Sequence, residues 1–138
     1  MFSVAKVLIE NPEGKYLILH RNNHPLFKYG IDLPGGTVEK GEAIEAAAVR
    51  EVQEEAGIDL GDAPLDLLIS SHKYSRLHNT YNLYHVVLSE TPEVTLSWEH
   101  SDYMWRTAEE IITESETSND SFLRMTSDVL KTFSNSKQ

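Results

Sequence analysis

Residues 36–58 read GTVEKGEAIEAAAVREVQEEAGI, and their composition predicts the main helix of this chain. The part from Glu42 to Ala56 contains no Gly or Pro and is rich in Ala, Glu and Arg, which have high helix propensity. Gly57 follows at the position where a left-handed residue commonly ends a helix. The segment therefore predicts a helix that begins near Glu42 and ends at Ala56.

One face of this predicted helix carries carboxylates. Glu51, Glu54 and Glu55 lie at positions i, i+3 and i+4, so their side chains share one face. A generic E-x-x-E-E pattern is most often a solvated helix face, on which neighbouring charges repel one another slightly. A bound Mg²⁺ or Mn²⁺ would turn that repulsion into coordination by hard oxygen ligands. Arg50 precedes the three glutamates and can pair with a carboxylate to fix its direction.

Another face of the helix is apolar. Ile44, Ala48, Val52 and Ala56 recur every four residues, which predicts that this side is buried against a sheet. Gly35-Gly36 ends a short apolar segment before the helix, and without Cβ atoms its carbonyls can approach a ligand closely. A helix with one packed side and one carboxylate side is a rigid support for a metal site.

The segment is identified as a Nudix box, the signature of a family of hydrolases. It matches G-x5-E-x7-R-E-U-x-E-E-x-G-U, in which U is a bulky aliphatic residue, without a departure. The matching residues are Gly36, Glu42, Arg50, Glu51, Val52, Glu54, Glu55, Gly57 and Ile58. The resemblance implies an α/β fold, an α/β/α sandwich around a mixed β-sheet, in a single Nudix hydrolase domain over residues 1–138. It also implies hydrolysis of a pyrophosphate bond in a nucleoside diphosphate linked to another moiety.

The resemblance also implies roles for individual residues. The implied ligands of Mg²⁺ or Mn²⁺ are the carboxylates of Glu51, Glu54 and Glu55 and the carbonyl of Gly35. Arg50 would orient these glutamates, and one of them, or Glu99 in a later loop, would act as the base towards the attacking water. Glu99 is also a candidate metal ligand, although a solvated surface position suits it equally well. The residues with an implied structural role are Gly36, Glu42 and Gly57.

The substrate is less well specified. Tyr74 resembles the pattern of dinucleoside polyphosphate hydrolases, whereas Lys73 replaces the Pro of many ADP-ribose hydrolases. Arg76 follows in the same polar cluster, and Arg21, at the end of a predicted strand, can reach a phosphate. A lone Tyr in a strand is more often packed in a core or at an edge, whereas a solvent-facing hairpin suits Arg76, and a surface ion pair suits Arg21, equally well. Nucleoside triphosphates, nucleotide sugars and dinucleoside polyphosphates all stay open. The alternative function is a catalytically silent module that senses or binds nucleotides, and the retention of every signature glutamate favours the enzyme.

The rest of the chain alternates between strand and helix patterns. Thr107-Ala108-Glu109-Glu110 matches a capping box that opens a short helix, and residues 21–30 read as a loop. A terminal amphipathic helix is predicted from Asp120 to Phe133. The predicted strands are Val4 to Ile9 and Tyr16 to His20, paired as a hairpin, then Ile31 to Leu33, Leu65 to Tyr74, Tyr81 to Ser89 and Tyr103 to Arg106.

Composition limits the class of partner. The chain has 138 residues, no cysteine and a formal net charge of −10, so thiolate chemistry is excluded and long nucleic acid is a poor partner. No apolar run is long enough to span a bilayer. We therefore expect a cytoplasmic protein that takes a small nucleotide-type substrate and binds no membrane. A homodimer is compatible with the resemblance.

Overall fold

Seven strands and three helices lie within residues 2–21 and 30–136, the part of the chain that the computed structural model describes. The loop predicted between residues 21 and 30 falls almost entirely outside that part. The elements are β1 (Ser3–Glu10), β2 (Tyr16–Arg21), β3 (Ile31–Asp32), β4 (Gly35–Thr37), α1 (Ile44–Ala56), β5 (Asp66–Ser71), β6 (Thr80–Val87), β7 (His100–Arg106), α2 (Ala108–Ser115) and α3 (Ser121–Ser136).

The strands form one mixed sheet in the order β3-β2-β1-β6-β5, with β4 added to β1 and β7 added to β2. β1 and β6 run parallel along their whole length, whereas the other pairs are antiparallel. The predicted hairpin of β1 and β2 is confirmed and is paired at Glu10 and Tyr16. β4 pairs with the first half of β1, where Gly35 lies opposite Lys6. β6 occupies one edge of β1. Strands β2 and β4 therefore share the other edge, which brings β4 to the centre of the sheet.

Helices cover both faces of this sheet. On one face α1 packs through Val52 against a core that includes Val7 of β1. On the other face α2 and α3 pack through Ile111 and Met125 against a second core that includes Leu8. β1 is therefore buried on both sides, as expected of a central strand covered by helices. The predicted α/β/α sandwich around a mixed sheet is confirmed.

The ends of α1 follow local chemistry. The helix begins after Ala43, which is extended (φ −66°, ψ 141°) and has no side chain that can cap, so the predicted start at Glu42 was too early. Glu42 instead accepts a hydrogen bond from the backbone N–H of Glu39 at 3.0 Å and stays in the preceding turn. The predicted end is confirmed: Gly57 is left-handed, with φ 67°.

Side chains cap the other two helices. Thr107 and Glu110 form the predicted capping box at the start of α2. The carboxylate of Asp120 accepts hydrogen bonds from the backbone N–H groups of Phe122 and Leu123 at 2.9 and 3.2 Å, so Asp120 caps α3 from just outside it. Within the described residues, no helix is both long and apolar enough to cross a bilayer.

β4 was not predicted as a strand, β6 ends two residues before the predicted Ser89, and two other strand ends differ from the prediction by three residues. β5 ends at Ser71, three residues before the predicted end at Tyr74, because Tyr74 turns away and its hydroxyl donates to Asp128 of α3. β7 begins at His100, earlier than predicted, because its pairing with β2 extends to Arg21. In both cases a partner distant in sequence sets the end of the strand.

Candidate functional site

Arg50 joins the turn before α1 to two of the helix glutamates. Its guanidinium binds Glu42 twice, from Nε to Oε2 at 2.8 Å and from Nη2 to Oε1 at 3.0 Å. Its Nη1 donates to Oε1 of Glu51 at 3.1 Å and to Oε2 of Glu54 at 3.2 Å. The hydrogen bonds from Arg50 lower the pKa of Glu42 to about 2. One cation therefore gathers three of the signature carboxylates.

Glu55 has a different environment. It is 7% exposed, and its Oε2 accepts a hydrogen bond from the backbone N–H of Gly35 at 3.2 Å. Loss of hydration on burial, reinforced by the charge of Asp32, raises the pKa of Glu55 to about 8. A carboxylate held in this way favours a bound proton or a bound cation.

The glycine turn leaves room for a second carboxylate. A Cβ atom on Gly36 would lie 2.6 Å from Cδ and 2.7 Å from Oε2 of Glu51. At Gly35 a Cβ atom would overlap the carbonyl oxygen of Ala5, and φ of 142° is a conformation that L side chains rarely adopt. Glycine at both positions is therefore what allows β4 to lie against β1 and against the carboxylate face of α1.

Glu99 lies within electrostatic reach of this face. Burial raises the pKa of Glu51 against the opposing effect of Arg50, and the charges of Glu54 and Glu99 raise it further. Glu54 and Glu99 are both exposed. The structure thus brings the loop before β7 to the helix glutamates, which spacing along the chain cannot predict.

The donor set fits a divalent cation, although the side chains are not arranged around one. Among the described residues, no three His, Asp or Glu side chains are grouped as a ready metal site. Glu51 and Glu54 are instead directed onto the guanidinium of Arg50. The donors available here are carboxylate and carbonyl oxygens, the ligands of Mg²⁺ and Mn²⁺, and the buried carboxylate of Glu55 has no cation bonded to it in the described part of the chain.

A cavity of about 760 Å³ lies between the β5–β6 connection and the start of α3. Tyr74 and Arg76, predicted as substrate contacts, both line it, together with Tyr81 and Arg124. Its volume is within the range typical of ligand pockets. We call it the β5–β6 cavity. The sequence did not predict three further residues of its wall, because they lie far along the chain in the α2–α3 connection and in α3: Asn119, Ser121 and Arg124.

Arg21, the third predicted substrate contact, lies in a largely buried ion-pair network. Its Nη2 is 2.6 Å from Oδ2 of Asp120 and 3.2 Å from Oδ1 of Asp32. Lys6 and His100 also contact Asp32, at 2.5 and 3.6 Å. Burial alone would raise the pKa of Asp32, but the charge of Lys6 and a hydrogen bond from His100 hold that pKa well below its usual range. The network joins the cap of α3 to the strand that leads into the glycine turn.

Comparison with known proteins identifies the family. Residues 2–125 match the family model described as NUDIX domain. The nucleoside triphosphatase NudI of Salmonella typhimurium is 32% identical over 114 residues, which cover 75% of this chain and 80% of that protein. An ADP-ribose pyrophosphatase of Methanocaldococcus jannaschii is 50% identical over 56 residues, covering 41% of this chain. The matched region spans about a third of that relative's length (32%).

Solved structures agree on the fold. A MutT protein from Methanosarcina mazei superposes with a TM-score of 0.74 at 24% identity, covering 99% of this chain and 95% of that one. An Ap4A hydrolase from C. elegans superposes with a TM-score of 0.76 at 22% identity, covering 96% of both chains. The family match over most of the chain, the relative at 32% identity and the shared fold agree with the complete signature at residues 36–58: the chain belongs to the NUDIX family, as its sequence predicted.

Proposed function

We propose that this Nudix chain is a divalent-metal-dependent pyrophosphohydrolase that acts on a nucleotide-type substrate. The observation that carries the proposal is the carboxylate face of α1 beside the glycine turn, where Glu51 lies against Gly36 and Glu55 is buried against the N–H of Gly35. Relatives named as a nucleoside triphosphatase and an ADP-ribose pyrophosphatase support this reaction class.

The residues that would hold the metal are Glu51, Glu54, Glu55 and the carbonyl of Gly35. When bound, Mg²⁺ or Mn²⁺ supplies Lewis-acid chemistry towards the phosphate oxygens and lowers the pKa of coordinated water. Arg50 acts as a positioning residue, because it contacts Glu51 and Glu54 while Glu42 holds it in place. One of the glutamates, on the helix or at Glu99, takes the proton of the attacking water.

The β5–β6 cavity would seat the nucleoside end of the substrate. The rings of Tyr74 and Tyr81 offer surfaces for a base, and the guanidinium groups of Arg76 and Arg124 suit a phosphate. Arg21 would reach a phosphate only by exchanging Asp120 for the substrate, so we assign it an indirect role.

Among the open substrate classes, we propose nucleoside triphosphates first. The relative named as a nucleoside triphosphatase aligns with 75% of this chain, whereas the named ADP-ribose pyrophosphatase aligns with 41%. We further propose that the chain is a single Nudix domain, because one sheet with a core on each face accounts for the described elements. A homodimer and a cytoplasmic location stay predictions of the sequence.

Phosphate release from a panel of nucleotides tests the reaction. The panel contains nucleoside triphosphates, nucleotide sugars, ADP-ribose and dinucleoside polyphosphates, each with Mg²⁺, with Mn²⁺ and with EDTA, and a coupling phosphatase reveals the products. We expect cleavage of one class that EDTA abolishes. Glu54→Gln should remove most of the turnover in a folded protein, whereas Glu45→Gln, at an exposed position on the same helix, should not. Nucleotide binding without turnover in the unaltered chain would favour the sensing module instead.

A further inference from the structure

A second cleft adjoins the β5–β6 cavity along α3. It encloses about 440 Å³ and shares Tyr74 and Arg124 with that cavity. Arg124, Ser127 and Lys131 lie at i, i+3 and i+7 of α3 and therefore line one side of it, while Lys73 comes from the β5–β6 connection. We call this space the cationic cleft. The rest of its wall is formed by Ser115, Glu116 and Asp128.

The three basic side chains of this cleft form no ion pair with a carboxylate of the described residues. Within that part of the chain, the lysines and arginines that form ion pairs are Lys6, Lys15, Arg21, Arg50 and Arg106. Arg76 of the β5–β6 cavity and Lys40 elsewhere form none either, but the cleft brings three such cations together. Carboxylates outnumber basic side chains by 22 to 12 in the chain, whereas three cations face two carboxylates, Glu116 and Asp128, in this wall.

The cleft also contains a hydroxyl group without a partner. Ser127 is 3% exposed, and its buried Oγ has no hydrogen-bond partner among the described residues. Buried polar groups without partners are uncommon and call for a ligand or an ordered water. One of the two carboxylates in the wall, Asp128, is already engaged, because the hydroxyl of Tyr74 donates to its Oδ2 at 2.6 Å. That bond also fixes the β5–β6 connection against α3.

We propose that the cationic cleft binds a phosphate group. Two lysines, an arginine and a free hydroxyl supply the charge-assisted donors that a tetrahedral oxyanion needs. The cleft is lined by α3, which packs on the face of the sheet opposite α1. The group bound here is therefore separate from the pyrophosphate that the glutamates of α1 would address. It is either a distal phosphate of a substrate seated in the β5–β6 cavity, which rests on the proposed function, or free inorganic phosphate.

Metal-free binding separates this proposal from the hydrolase activity. The full chain is titrated with inorganic phosphate in EDTA at low ionic strength and followed by amide chemical shifts. We expect saturable binding with shifts at Lys73 and Ser127, weakened about fivefold by Lys131→Gln and about threefold by Ser127→Ala. Lys15→Gln removes the same charge from the β1–β2 turn and should leave the affinity within twofold. Binding that does not saturate below about 100 mM, or that is equal in all variants, overturns the proposal.

Kinetics then identifies the source of the phosphate. If the cleft takes a distal phosphate of the substrate, Lys131→Gln raises KM for dinucleoside polyphosphates but not for nucleoside triphosphates, with kcat unchanged. If it takes free phosphate, added phosphate changes the rate with every substrate in the unaltered chain and not in Lys131→Gln. If the chain hydrolyses nothing but still binds phosphate in EDTA, the proposed function fails and the phosphate site stands.

Discussion

Replacement of Glu55 by Gln tests the assignment of a buried, metal-seeking carboxylate. The amide has the same shape as the carboxylate, and its oxygen can still accept the hydrogen bond from Gly35. Only the charge is lost. In the absence of metal we therefore expect Glu55→Gln to stabilise the protein at neutral and alkaline pH while it abolishes hydrolysis.

The magnitude follows from the burial of Glu55. Its pKa is raised from 4.5 to about 8, so the folded chain binds more protons than the unfolded chain between these values. The free energy of unfolding therefore falls as pH rises through this window. At about 1.4 kcal/mol per pKa unit, the advantage of Glu55→Gln over the unaltered chain should grow by about 2 to 4 kcal/mol between pH 5 and pH 8, the lower value allowing for solvent relaxation.

The assay is urea unfolding in EDTA at several pH values, followed by circular dichroism. The difference between the variant and the unaltered chain is the quantity of interest, because it cancels the titration of other groups. Glu45→Gln, an exposed position on the same helix, is the control and should show a difference that does not change with pH. A difference for Glu55→Gln that is equally flat would refute the reasoning, since Glu55 would then be hydrated in the folded protein.

Added metal supplies a second readout from the same samples. A cation that binds the folded chain and not the unfolded chain stabilises it in proportion to the logarithm of its concentration. Mg²⁺ or Mn²⁺ should therefore stabilise the unaltered chain most at pH 8, and Glu55→Gln much less. Equal stabilisation of both would place the cation elsewhere.

Three further substitutions test the surroundings of the site. Gly36→Ala puts a methyl group 2.6 Å from Cδ of Glu51 and displaces that carboxylate. We expect kcat to fall about a hundredfold without unfolding of the chain. An unchanged kcat would mean that the reaction does not require a fixed position of Glu51. Arg50→Lys keeps the charge but loses the planar fork that holds three carboxylates, so kcat should fall about tenfold in steady-state assays with saturating metal. Asp32→Asn removes the carboxylate that pairs with buried Lys6 and should cost about 3 kcal/mol in urea unfolding at pH 7, whereas Asp66→Asn at an exposed position should cost almost nothing. A loss below about 1 kcal/mol would show that water screens the network.

The sequence alone predicted the features that depend on local geometry. The periodicity of a helix is enough to place Glu51, Glu54 and Glu55 on one face, and Gly57 ends that helix because its conformation is left-handed. The capping box at Thr107 could be predicted for the same reason, since it is encoded within a short segment. The Nudix signature is also local, and the sandwich was predicted from the family resemblance that this signature carries.

Tertiary structure determined the environment of those residues, meaning their burial and their neighbouring charges. Glu55 is buried while Glu54 is exposed, because neighbours on one helix face meet different parts of the sheet. The charge of Glu99 acts on Glu51, and Tyr74 meets Asp128, across separations in sequence that no local pattern encodes. Burial, charge compensation and cavity walls all depend on contacts between residues that are distant in the chain. They therefore arise only when the strands have paired and the helices have packed on the sheet.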